Sequence, residues 1–106
     1  MLDRHVFEDQ CRDDGSRCYS AAYLNADGAL VVKIHDQGPV VQRALGASEY
    51  ESTETFTVDQ TARLREELGD DLIAAIAQRF PDSAQFAKHV ATLGVGRGKV
   101  WNRIGD

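Results

Sequence analysis

Residues 17–36, RCYSAAYLNADGALVVKIHD, constrain the fold more than any other stretch of the chain. Two apolar-rich runs flank Asn25-Ala26-Asp27-Gly28, a turn whose glycine supplies the positive φ that hairpin loops often need. In the second run Leu30, Val32 and Ile34 alternate with Val31, Lys33 and His35, the period of two expected of a strand with one buried face. A β-hairpin is therefore expected, and the rest of the chain has to be arranged around it.

After the hairpin, Gln37-Gly38-Pro39 breaks the strand. Pro39 suits the first turn of a short helix over 40–45, closed by Gly46, with Val40, Val41, Ala44 and Leu45 as its apolar stripe. The next run, 49–58 or EYESTETFTV, reads as a third strand. Tyr50, Ser52, Glu54, Phe56 and Val58 share one of its faces, and Glu49, Glu51, Thr53, Thr55 and Thr57 form a solvated one.

The period then becomes helical. Thr57 and Gln60 have capping-box spacing, with Asp59 as another cap candidate. Leu64 and Leu68 share a face before Gly69; Leu72, Ile73, Ile76 and Phe80 line a second helix that Pro81 stops. Asp82 and Gln85 open a third helix, with Phe86, Val90 and Leu93 on one side and Gly94 at its end. The expected fold class is α+β: a three-stranded antiparallel sheet (the hairpin plus a third strand), a short crossover helix and a C-terminal segment of about three helices. Residues 1–16 read as an arm with Asp13-Asp14-Gly15-Ser16 as a turn, and 95–106 as a tail.

At 106 residues the expectation is a single small domain. An apolar fraction of 42% and a charged fraction of 27% are ordinary for a water-soluble chain. No apolar run approaches the ~18 residues of a membrane span, and the amino end shows no apolar signal segment, so a cytoplasmic location is expected. Cys11 and Cys18 fit neither a disulfide framework nor, with His5, a standard zinc spacing, so no metal and no cofactor is expected.

Charge is unevenly spread around a net of −5. Residues 49–71 hold eight acids against two bases, whereas 94–106 hold Arg97, Lys99 and Arg103 against Asp106. The acidic band implies a recognition surface for a partner protein with a basic surface, built from Glu49, Glu51, Glu54, Glu66, Glu67, Asp70 and Asp71. An immunity protein, or an inhibitor of a nucleic-acid-processing enzyme, would use such a surface without catalysing anything. The alternative is a nucleic-acid-binding module in which Trp101 stacks on bases while Arg97, Lys99 and Arg103 hold phosphates. The run Gly94 to Lys99 lacks the spacing, the flanking strand and the hydroxyl residue of a phosphate loop. His35 and Asp36 near Cys18 invite a nucleophile reading, but neighbours on a strand point to opposite faces. The third strand also leaves a sheet edge available, so a homodimer is open.

The run Asp27-Gly28-x-Leu30, then Asp36-x-Gly38, then Tyr50-Glu51 and a helix ending in Leu68-Gly69 resembles a class of small uncharacterised bacterial proteins. The resemblance covers 19–69. It implies a bacterial strand-strand-helix-strand-helix domain and carries no known activity.

Overall fold

Five strands and four helices make up the computed structural model of the chain, in which residues 3–105 are described. In order they are β1 (Arg4–Cys11), β2 (Arg17–Leu24), β3 (Leu30–Gln37), α1 (Pro39–Leu45), β4 (Glu49–Thr55), α2 (Val58–Leu68), α3 (Leu72–Arg79), α4 (Ser83–Val90) and β5 (Lys99–Gly105). The α+β class holds, but the sheet has five antiparallel strands in the order β1-β2-β3-β4-β5, not three.

The two additional strands are the segments expected to be an arm and a tail. β1 runs along β2 and β5 along β4, so these two are the edge strands; residues 1, 2 and 106 lie outside the described residues. The third strand is also shorter than expected. It stops at Thr55, and Val58 begins α2 with 53% of its surface exposed. The Thr57 hydroxyl accepts from the Gln60 amide while the Gln60 side chain accepts from the Thr57 amide, and this reciprocal cap ends extended structure there.

The hairpin forms as its turn chemistry dictates. Asn25 Oδ1 accepts the amides of Asp27 and Ala29 at 2.9 and 3.0 Å, and Gly28 takes φ 77°. Leu30 then pairs with Leu24 and the register runs to Gln37 opposite Arg17. Alternation sends Ala22, Leu24, Leu30 and Val32 to one face, where Leu64, Leu72, Ile73, Ile76, Phe86 and Val90 of the three C-terminal helices close over them. One buried hydroxyl joins the layers: Thr61 of α2 accepts the Leu30 amide at 3.0 Å and donates to the Thr57 carbonyl at 2.8 Å.

Asp82 caps α4 through the Gln85 amide, whereas Asp71 at the start of α3 makes no such bond and its Oδ1 is buried without a partner. α1 sits at the end of the sheet. Its Val40 amide donates to the buried Ser16 hydroxyl at 2.9 Å, and Arg43 holds Asp14 at 2.8 Å. The Arg43 hydrogen bond, with those from Ser16, keeps the Asp14 carboxyl well below the usual carboxylate range. Only Val41 of the expected stripe is buried; Ala44 and Leu45 face solvent. No described helix is long and apolar enough to cross a membrane.

Candidate functional site

α2, α3 and α4 all fall between β4 and β5 in the chain and pack on one face of the sheet, so the other face carries no helix from that group. Cross-strand register orders that open face into rows. Arg4, Tyr23, Val31, Thr55 and Lys99 form one; Val6, Ala21, Lys33, Thr53 and Trp101 form the next. Asp9, Tyr19, His35, Glu51 and Arg103 form the third, followed by Cys11, Arg17, Gln37, Glu49 and Gly105.

Two parts of this face are organised by side chains. At the β1–β2 side, the Arg4 guanidinium lies 4.8 Å from the centre of the Tyr23 ring and donates to the Tyr19 hydroxyl at 2.9 Å. Ala21, between the two tyrosines along β2, is fully buried even though it points away from the helices. At the other side His35, Glu49, Glu51 and Arg103 converge. Glu49 Oε1 lies 2.7 Å from His35 Nε2 and accepts from Arg103 at 2.7 Å, and Glu51 approaches the same imidazole nitrogen at 3.8 Å. The hydrogen bond from His35, supported by the charge of Arg103, holds the Glu49 carboxyl below its ordinary value against the opposing effect of burial. On the edge strand β5, in the row next to Arg103, Trp101 pairs with Thr53 and has 51% of its surface exposed.

The ligand atoms of His35, Glu49 and Glu51 lie within 4.8 Å of one another, within reach of one divalent cation. Arg103 already supplies a positive charge to the oxygen nearest the imidazole, which offsets one of the two carboxylates. Cys11 and Cys18 are free thiols that turn to opposite faces of β1 and β2, and so do not converge. Cys18 pairs with Asp36 on the helix side, and burial, with the Asp36 charge, pushes its thiol up, away from the reactive thiolate. His35, on the other face, is not part of that pair.

The acidic residues expected to form one surface are dispersed by the fold. Glu49 and Glu51 are on the open face; Glu54 alternates to the helix side. There Glu54 accepts from the Gly98 amide at 2.8 Å and from Arg97 at 3.1 Å. Glu66 and Glu67 are exposed on α2, and Asp70 and Asp71 follow in the link to α3. The basic residues are divided in the same way: Arg97 is drawn to Glu54 while Lys99, Trp101 and Arg103 line the open face of β5. β4 and β5 are adjacent, so the acids of one and the bases of the other largely neutralise each other. Gly98 is packed so closely on β4 that a Cβ would lie 2.8 Å from the Thr55 carbonyl oxygen, which gives this glycine a packing reason.

Sequence reasoning missed Arg4, Tyr19, Tyr23 and Lys33 as members of the face. The signal was present for β2 and β3, where the period-2 pattern puts Tyr19, Tyr23 and Lys33 opposite the apolar set. A groove of about 380 Å³ also runs on the helix side between α4 and β3–β4, lined by Val32, Phe56, Phe86 and Val90 with Glu54 and Arg97 at its polar wall. No family model, curated protein or solved structure matches the chain.

Proposed function

We propose that this protein is a non-enzymatic binding module that presents the open face of its sheet to a partner protein. The observation that carries this reading is Trp101, a large aromatic side chain half exposed on the face that α2, α3 and α4 leave uncovered. Tyr19, Tyr23, Arg4 and Arg103 share that face. Tryptophan, tyrosine and arginine are the side chains that dominate protein interfaces, because each combines large contact area with a directional polar group. Glu49 and Glu51 are the local acidic points of that face at which basic groups of a partner would dock, and an immunity protein or an inhibitor of a nucleic-acid-processing enzyme would use them in this way. His35, Glu49, Glu51 and Arg103 of this face are engaged with one another, which favours recognition over catalysis.

The test is affinity capture with the wild-type protein, Trp101→Ala, Glu51→Lys and the double control Glu66→Lys/Glu67→Lys, at low and high salt. A defined protein retained by wild type and control and lost by the two open-face variants is the expected result. Retention by both open-face variants overturns the reading.

A second reading has its own observation. The open face carries five bases (Arg4, Arg17, Lys33, Lys99, Arg103) against three acids (Asp9, Glu49, Glu51), on a chain whose net charge is −5. With Trp101, Tyr19 and Tyr23 as stacking platforms, this is a surface for single-stranded nucleic acid. Retardation of an oligonucleotide that weakens steeply with salt, and is abolished by Trp101→Ala, would favour it over the protein partner.

A further inference from the structure

The two edges of the sheet differ. β1 has a register irregularity between Val6 and Glu8, carries Glu8 and Asp9 beyond it, and is packed by α3. A bulge and charges are the usual means by which an edge is kept from pairing. β5 has neither proline nor bulge in its register with β4, and three large apolar side chains stand exposed along it: Val100 (39%), Trp101 (51%) and Ile104 (59%).

The backbone parity of β5 follows from its neighbours. The Phe56 amide donates to the Leu30 carbonyl, so the even-numbered residues of β4 turn their amides and carbonyls to β3 and the odd-numbered ones turn theirs to β5. Lys99, Trp101, Arg103 and Gly105, opposite those odd-numbered residues, are therefore bonded to β4. The same alternation turns the amides and carbonyls of Val100, Asn102 and Ile104 out of the sheet, where an edge strand leaves them for water or another strand.

We infer that β5 pairs antiparallel with β5 of a second copy about a twofold axis at Asn102, joining two five-stranded sheets into one. In this register Asn102 meets Asn102 of the copy and Val100 meets Ile104 on the helix side. Trp101 meets Arg103 on the open face, a cation over an aromatic ring, and Lys99 meets Gly105. Every outward amide and carbonyl finds its complement. Parity allows only shifts of the axis by whole residues. Moving it to Trp101 sets Lys99 against Arg103, and moving it to Arg103 sets two arginines together, while axes at Val100 or Ile104 leave outward groups of β5 without a partner strand, so Asn102 is selected. The bulged β1 edge does not offer a second site for β5, so the contact closes as a dimer and does not propagate as a filament. This pairing covers Trp101 and Arg103 at the β5 margin of the open face, leaves the β1–β3 part of that face free, and does not depend on what the face binds.

Sedimentation equilibrium over a concentration series tests the inference. The wild type should pass from monomer to dimer mass as concentration rises. Asn102→Pro removes an outward amide and no bond to β4, and should raise the dissociation constant by about tenfold or more. Val100→Lys and Ile104→Glu should each be monomeric alone, because each buries unpaired charge twice at the junction. Mixed together they should form a heterodimer, since the mixture sets the introduced lysine of one chain against the introduced glutamate of the other once and keeps one Val–Ile pair. A wild type that is monomeric throughout overturns the inference. So does a wild-type dimer whose mass is unchanged in Asn102→Pro and Val100→Lys, or a mixture that stays monomeric.

Discussion

The two faces of the sheet are built from the same strands and serve different ends. On the helix side, Ala22, Leu30 and Val32 are sealed by Leu64, Ile73, Ile76 and Phe86, and the buried hydroxyl of Thr61 is satisfied both as acceptor and as donor. On the open side, Tyr19, Tyr23, Lys33, His35, Glu51 and Trp101 are held by cross-strand pairs and ion pairs, with water on their outer surface. The lesson is that alternation along each strand divides the work: even positions of β2 and β3 supply the helix-covered core, while the odd positions, apart from the buried Ala21 and Val31, supply what the folded chain meets.

Truncation should separate the faces most sharply. Phe86, 2% exposed, packs edge-on to Phe80 with ring centres 5.3 Å apart, and Phe86→Ala should cost about 3–5 kcal/mol by denaturant unfolding. Trp101→Ala removes a larger side chain yet should change stability by no more than about 0.5 kcal/mol. Equal losses at the two positions would break the comparison. Next in size is Thr61→Val, which keeps the shape but leaves the buried Leu30 amide without an acceptor; a loss of about 1–3 kcal/mol is expected.

The smallest effect belongs to the open face and depends on pH. Glu49 is held below its ordinary value, so the folded chain binds fewer protons there than the unfolded chain does as the solution is acidified. Its contribution to stability is therefore present above the ordinary carboxylate pKa and is lost as pH falls through the lowered one. Thermal unfolding of Glu49→Gln should show a shallower acid limb than wild type, with no difference once the wild-type carboxylate is protonated. Parallel acid limbs would mean that the His35 and Arg103 contacts contribute nothing measurable, as exposed ion pairs often do not.

The sequence made the interior of the fold legible and its borders illegible, for a physical reason. The hairpin at Asn25–Gly28, the cap at Thr57, the stop at Pro81 and the cap at Asp82 are local signals, each written within four residues. β1 and β5 carry no such signal. In β1 the irregularity at Val6 and Glu8 breaks the period of two, and in β5 six of seven residues are exposed, so there is no buried face for hydropathy to reveal. The error spread to the candidate site. With β5 read as a tail, Glu49 and Glu54 stood as uncompensated acids, although Arg103 and Arg97 arrive from that strand and the link before it to meet them. Tyr19, Tyr23 and Lys33 were visible on the correct strands, but their role depends on Arg4 and Trp101, which those unrecognised strands deliver.

Strand order also has a consequence in time. β1 to β4 pair with sequence neighbours and can form as they are synthesised, with only the seven-residue α1 intervening between β3 and β4. β5 comes after all of α2, α3 and α4, so a nascent chain holds β4 as a bare border until Lys99–Gly105 has emerged. During that interval Glu49, Glu51 and Glu54 are the charges this border presents against pairing with a neighbouring chain, before Arg103 and Arg97 arrive and make Glu49 and Glu54 ion-pair partners.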